Sequence, residues 1–126
     1  MALPLRALSV LRIGIGSASF PLPSLTTTAL FYPLSASSLL AVRLFGCRDP
    51  ILGTLLWTAK TPEARRRAVL AGAAVDALDV VAAAWAYGGG EIDAMPGLAF
   101  GAGAVSFLAL AALAALGKVE GVAKAL

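Results

Sequence analysis

The sequence predicts an all-α fold, a four-helix transmembrane bundle with a kinked or broken second helix, and three observations lead there. The chain has 126 residues, 60% of them hydrophobic and 13% charged, with a mean hydropathy of +0.88. A soluble domain carries about 25% charged and about 45–50% apolar residues, and the high surface-to-volume ratio of a small globule leaves no room to hide the surplus. Second, the apolar residues gather in long runs separated by Pro-, Gly- or charge-rich breaks. Third, Ala and Leu dominate and alternating segments of about ten residues are missing, which favours helices over a β-barrel. Residues 1–126 read as one integral membrane domain with spans at about 3–20, 36–59, 62–87 and 96–117.

The first apolar run, Leu3 to Phe20, is interrupted by Arg6 and Arg12. Ser17-Ala18-Ser19 resembles a signal-peptide cleavage site, but Arg12 falls where the apolar stretch of such a peptide is uninterrupted. The run therefore reads as a span ending before Pro21 and Pro23, since a residue preceding proline avoids the helical region. Residues 20–35 are rich in Pro, Ser and Thr and uncharged, as expected of an interfacial loop or re-entrant segment anchored by Tyr32.

The second span, about Ala36 to Ala59, contains Pro50, which removes one backbone hydrogen bond and leaves the Gly46 carbonyl without its donor. Gly46 as a stop and Asp49-Pro50 as an N-cap and first helical position predict a break there. Trp57 and Lys60 mark the exit through the interface. Thr61-Pro62-Glu63 opens the third span, Trp85 and Tyr87 form its far aromatic belt, and Gly88-Gly89-Gly90 ends it. The fourth span, Pro96 to Gly117, is uncharged, and its Gly97-x-x-x-Gly101 pattern would admit a close neighbour, including a second copy of the chain.

Four spans put both termini and the loop between spans two and three on one side. That side receives Arg6, Lys60, Arg65, Arg66, Arg67, Lys118 and Lys124, against Glu91 and Asp93 on the other. The asymmetry predicts a multi-pass protein with both ends in the cytoplasm. Arg65-Arg66-Arg67 is read first as a topology determinant, with contact to anionic membrane lipid secondary.

The net charge of +3 is no nucleic-acid signature, because the basic residues cluster in one loop without aromatic interleaving. With no His and the single Cys47, an ordinary His/Cys metal site, a Ser-His or Cys-His pair and an intrachain disulfide are excluded. Cys47 reads as a small apolar residue, and Gly14-Ile15-Gly16-Ser17, with no preceding strand, reads as helix packing rather than a dinucleotide loop.

The spans retain Arg12, Arg43, Arg48, Asp49, Asp76 and Asp79, three cations against three anions. Asp76 and Asp79 lie on one helix face, about 60° apart. Each unpaired charge in a bilayer costs at least ~2.5–3.5 kcal/mol, so an economical fold turns all six inward around one polar pocket. Two readings follow: an ion-pair network that fixes helix packing, or an active site in which a carboxylate pair divides acid and base roles.

The stretches Leu11–Gly16, Arg43–Gly53 and Ala71–Asp79 resemble the DUF4267-like small four-span integral membrane proteins of fungi and bacteria, a largely uncharacterised family. The resemblance implies this fold and topology, in the endoplasmic reticulum of a fungus or the plasma membrane of a bacterium. Fungal members look like natural-product pathway proteins, which implies a lipophilic small-molecule substrate.

The leading expectation is a cofactor-free enzyme doing acid–base chemistry on such a molecule, as an epoxide hydrolase, cyclase or isomerase. Asp76 and Asp79 form the acid–base pair, with Asp49 the next candidate, and Arg12, Arg43 and Arg48 orient substrate and stabilise charge. An oligomeric transporter or proton-linked carrier is the first alternative, motivated by the broken helix and the midplane charges. A non-catalytic membrane scaffold is the second.

Overall fold

The computed structural model describes residues 3–115, whose regular structure is helical throughout: α1 (Leu3–Ser19), α2 (Pro23–Ala29), α3 (Ala36–Thr58), α4 (Pro62–Gly88) and α5 (Ala94–Ala115). Gly117 and the tail residues Lys118, Glu120 and Lys124 lie outside the described residues.

Local chemistry explains the helix ends. Thr61 accepts the amide of Ala64 at 3.1 Å and Pro62 occupies the first turn, where its missing N–H is not needed. At the far end of α4 the Glu91 amide donates to the Ala86 carbonyl and the Gly90 amide to that of Tyr87. This double closure requires a left-handed residue, and Gly90 supplies it at φ 72°. Ser35 caps α3 through a reciprocal pair of bonds with Ser38.

The uncharged segment expected as an interfacial loop or re-entrant segment contains a helix of its own, α2. Pro23 starts it, and Thr27 and Thr28 hydroxyls donate back to the carbonyls of Pro23 and Ser24. Its C-terminus repeats the double closure of α4, with Tyr32 and Phe31 amides donating to Thr27 and Thr28. Here Phe31 holds the left-handed position at φ 59°, a conformation costing a side chain roughly 1–2 kcal/mol. The Thr26 hydroxyl donates to Ser19 at 3.0 Å and ties α2 to α1.

The expected break in the second span is not found. α3 is continuous from Ala36 to Thr58, with Pro50 inside it. Asp49 does not cap a new half-helix, because its side chain is held by Arg12 of α1. Gly46 does not terminate the helix either: it is the point where α1 crosses. A Cβ on Gly46 would lie 2.7 Å from the Phe20 amide nitrogen and 2.9 Å from the Gly16 carbonyl oxygen. Gly53 is equally tight against the Ser9 carbonyl, and the Ser9 hydroxyl donates to the Gly53 carbonyl at 2.6 Å.

These close approaches make α1 and α3 one antiparallel pair, and α4 and α5 form the second. The pairs join at the end where α1 and α4 begin, through a buried layer of Leu5, Leu8, Leu56, Val69 and Ala111. Large apolar side chains cover the outside instead, Trp85, Leu78 and Leu98 among them. Arg12, Asp49 and Asp76 are buried, which is unusual for charged side chains. α4 and α5 are each long and apolar enough to cross a membrane. α1 has 17 described residues, at the lower end of the ~17–25 that a span needs, and α3 has 23 but carries three charges. Among the described residues a Cβ on Gly101 would meet nothing within 4 Å, whereas one on Gly97 would touch Ile92 and Tyr87 at 3.5 and 3.9 Å.

Two glycine substitutions separate the close crossing from helix propensity. Gly46→Leu forces side-chain atoms into backbone that has no freedom to move, and is expected to lower unfolding free energy in detergent by about 2 kcal/mol. Gly14→Ala, at a position where a Cβ meets nothing within 4 Å, is expected to be neutral or stabilising by up to about 1 kcal/mol. Denaturant titration followed by circular dichroism measures both.

Candidate functional site

Beyond the apolar layer the two helix pairs are held together by charge. Arg12 reaches out of α1 and donates through Nη1 to Asp49 Oδ1 of α3 at 3.2 Å. Its Nη2 donates to Asp76 Oδ2 of α4. The guanidinium lies 4.6 Å from the ring centroid of Phe107 on α5, so four helices meet at one side chain. Gly72, one turn before Asp76, leaves the space: a Cβ there would stand 3.2 Å from Arg12 Nη2.

Arg48 makes the second junction. Its Nη1 and Nη2 donate to the two Asp79 oxygens at 2.9 and 2.7 Å, a bidentate pair between α3 and α4. It stacks over Phe45, 5.2 Å from the ring centroid. Its Nε lies 3.5 Å from Asp49 Oδ1 without forming a hydrogen bond, and Asp49 Oδ2 is likewise buried without a hydrogen-bond partner.

Five of the six charges expected around one pocket are therefore brought together. Arg43 is not. It is exposed and makes no ion pair among the described residues. Five residues before Arg48, it points about 140° away around the helix, and shares its outward face with exposed Cys47. The three-against-three balance is accordingly corrected: the cluster holds three carboxylates and two guanidiniums.

The cluster borders two apolar cavities. The larger, about 450 Å³, has Arg48 and Asp79 on its wall together with Tyr32, Leu44 and Phe45. The smaller, about 310 Å³, has Asp76 and Asp79 with Leu11, Ile15 and Phe107. Asp76 and Asp79 thus share one cavity wall, as their i,i+3 spacing predicts, whereas Asp49 borders neither cavity. Tyr32, expected as an anchor at headgroup level, is half-buried beside the larger cavity, and burial pushes its phenol up. Among the described residues no cluster of three His, Cys, Asp or Glu side chains is placed to hold a metal.

No protein-family model matches the chain, and neither a curated protein nor a solved structure is found to be similar to it.

The residues that sequence reasoning missed are Gly72, Phe45, Phe100 and Phe107. Gly72 carries a faint signal, being four residues from Asp76 on one helix face. The phenylalanines carry none, since an aromatic residue in an apolar helix is equally at home against lipid.

The two classes of arginine predict different outcomes. Arg12→Met strands two buried carboxylates and is expected to cost about 3–5 kcal/mol. Arg43→Met is expected to stay within about 0.5 kcal/mol of the parent. Unfolding in matched detergent micelles gives both values.

Proposed function

We propose that the protein is a four-span integral membrane enzyme that carries out acid–base chemistry on a lipophilic small molecule. The supporting observation is one wall of the smaller cavity, where Asp76 and Asp79 stand side by side, each held by its own arginine. A cavity lined mainly by apolar and aromatic groups with a few convergent polar ones is the ordinary form of a small-molecule site.

In this reading α1, α3, α4 and α5 are the spans and both termini face the cytoplasm. The apolar outer surface and the Lys/Arg asymmetry of the loops support it. Membership of the DUF4267-like group, resting on the Arg43–Gly53 and Ala71–Asp79 stretches, belongs to the same proposal, as does assembly of copies through the open Gly101 face. The unbroken α3 removes one of the two motives for the carrier alternative, and the clustered charges, the other, remain.

The reaction class is opening of a strained or polarised C–O bond, with hydrolysis of an epoxide as its simplest member. One carboxyl of the Asp76–Asp79 pair gives its proton to the leaving oxygen. The other, ionised, takes a proton from the water whose oxygen bonds to carbon as the C–O bond breaks. Proton exchange between the two carboxyls restores the starting state. Arg48, on the wall of the larger cavity, holds Asp79 and stabilises developing negative charge, and Arg12, which lines neither cavity, positions Asp76. Asp49, behind both arginines and away from the cavities, is a positioning residue; Arg43, on the outer face, has no part.

Two measurements test the proposal. Purified protein is expected to hydrolyse long-chain alkyl epoxides, with kcat reduced at least about 100-fold in Asp76→Asn and Asp79→Asn. Undiminished turnover by both folded variants would overturn the assignment. In sealed membrane vesicles Cys47, on the outer face of α3 at mid-helix, is expected to resist a charged, water-soluble maleimide but react with N-ethylmaleimide. Equal labelling by both reagents would contradict the four-span arrangement.

A further inference from the structure

The two cavities have four walls in common: Leu30, Phe45, Asp79 and Phe100. The Phe45 and Phe100 rings meet edge to face between them, with centroids 5.9 Å apart at 60°. These two rings, with Leu30 and Asp79, therefore stand between the larger cavity and the smaller.

The charged groups are distributed unevenly about this partition. Arg48 borders the larger cavity alone, Asp76 the smaller alone, and Asp79 both. Three of the hydroxyls further out are already engaged, while the Tyr32 phenol on the wall of the larger cavity is not, among the described residues. Ser38 donates to the Pro33 carbonyl at 2.6 Å, Thr26 to Ser19 at 3.0 Å and Ser106 to the Ala102 carbonyl at 2.8 Å. The charged groups are thus concentrated at the junction, and a largely apolar arm leads away from it on each side, the larger one carrying the Tyr32 phenol.

We infer that the two cavities are the arms of one site, and that its ligand is an elongated apolar molecule whose polar group lies inside the chain rather than at its end. The inference rests on the small-molecule reading of this site. A molecule with a terminal polar group reaches Asp79 only by leaving one arm empty, and forfeits the contacts that arm offers. A molecule with an internal hydroxyl, ether or epoxide oxygen fills both arms while the oxygen sits between Arg48 and Asp76. Phe45 and Phe100 are then specificity-determining residues. Their rings must part for the chain to pass, and their bulk sets the thickness of the chain admitted, which favours an unbranched aliphatic segment at the polar group.

Two isomeric alcohols, hexadecan-8-ol and hexadecan-1-ol, isolate the position of the polar group at constant size and composition. Their affinities for the full chain in detergent micelles are measured by displacement of tritiated hexadecan-8-ol. The internal alcohol is expected to bind at least about tenfold more tightly, the size of one hydrogen bond to a charged group. Equal or tighter binding of the terminal alcohol overturns the inference, whatever any variant does. Phe100→Trp, which fills the junction, is expected to weaken hexadecan-8-ol at least about tenfold and to leave hexadecan-1-ol nearly unchanged. A uniform loss or no loss in the folded variant counts against the shared site. The readout needs no turnover: a fully active Asp79→Asn protein would remove the catalytic reading and leave the binding preference standing, while absence of the preference leaves the acid–base reading untouched.

Discussion

Arg12 is the constraint on which the remainder of the molecule depends. Its guanidinium sits between a carboxylate of α3 and one of α4, with the Phe107 ring of α5 beneath it. A buried cation with no partner would not be tolerated, and neither would the two carboxylates without the cation. Each helix must come close enough for these bonds to form, and the small residues show where closeness was needed. Gly16, Gly46 and Gly53 let α1 lie directly on α3, and Gly72 makes room on α4 for the arginine head. Charge supplies the demand for contact, and glycine supplies the geometry.

The consequence is a molecule with unlike ends. At the end where α1 and α4 begin, Leu5, Leu8, Leu56 and Val69 close the space between the helix pairs. In the opposite direction the ion pairs form a floor, and above it the pairs stand apart around two apolar cavities. Asp76 and Asp79 lie on the cavity side, and Asp49, hydrogen-bonded to Arg12, borders neither cavity.

Signals confined to neighbouring residues were legible in the sequence. Thr61-Pro62 and the triple glycine at 88–90 mark the ends of α4 because capping is settled within one turn. The convergence of Arg12, Asp49 and Asp76 was legible for another reason, the cost of leaving any of them in an apolar environment. Where local and tertiary chemistry compete, sequence reasoning fails. Asp49-Pro50 carries the signature of a helix start, yet a partner 37 positions away claims the carboxylate, and α3 continues. Arg43 looked equivalent to Arg48, and helical phase alone sends it outward. α2 escaped notice because a helix of seven residues whose threonines satisfy their own backbone leaves no apolar periodicity to detect.

The claim that one buried arginine couples the helix pairs is tested most directly by a double-mutant cycle between Arg12→Met and Asp76→Asn, read as unfolding free energy in detergent. The account predicts that the double variant is less damaged than the sum of the single ones, with a coupling of at least about 1 kcal/mol. Additivity to within about 0.3 kcal/mol would mean that the two side chains act independently, and would contradict it.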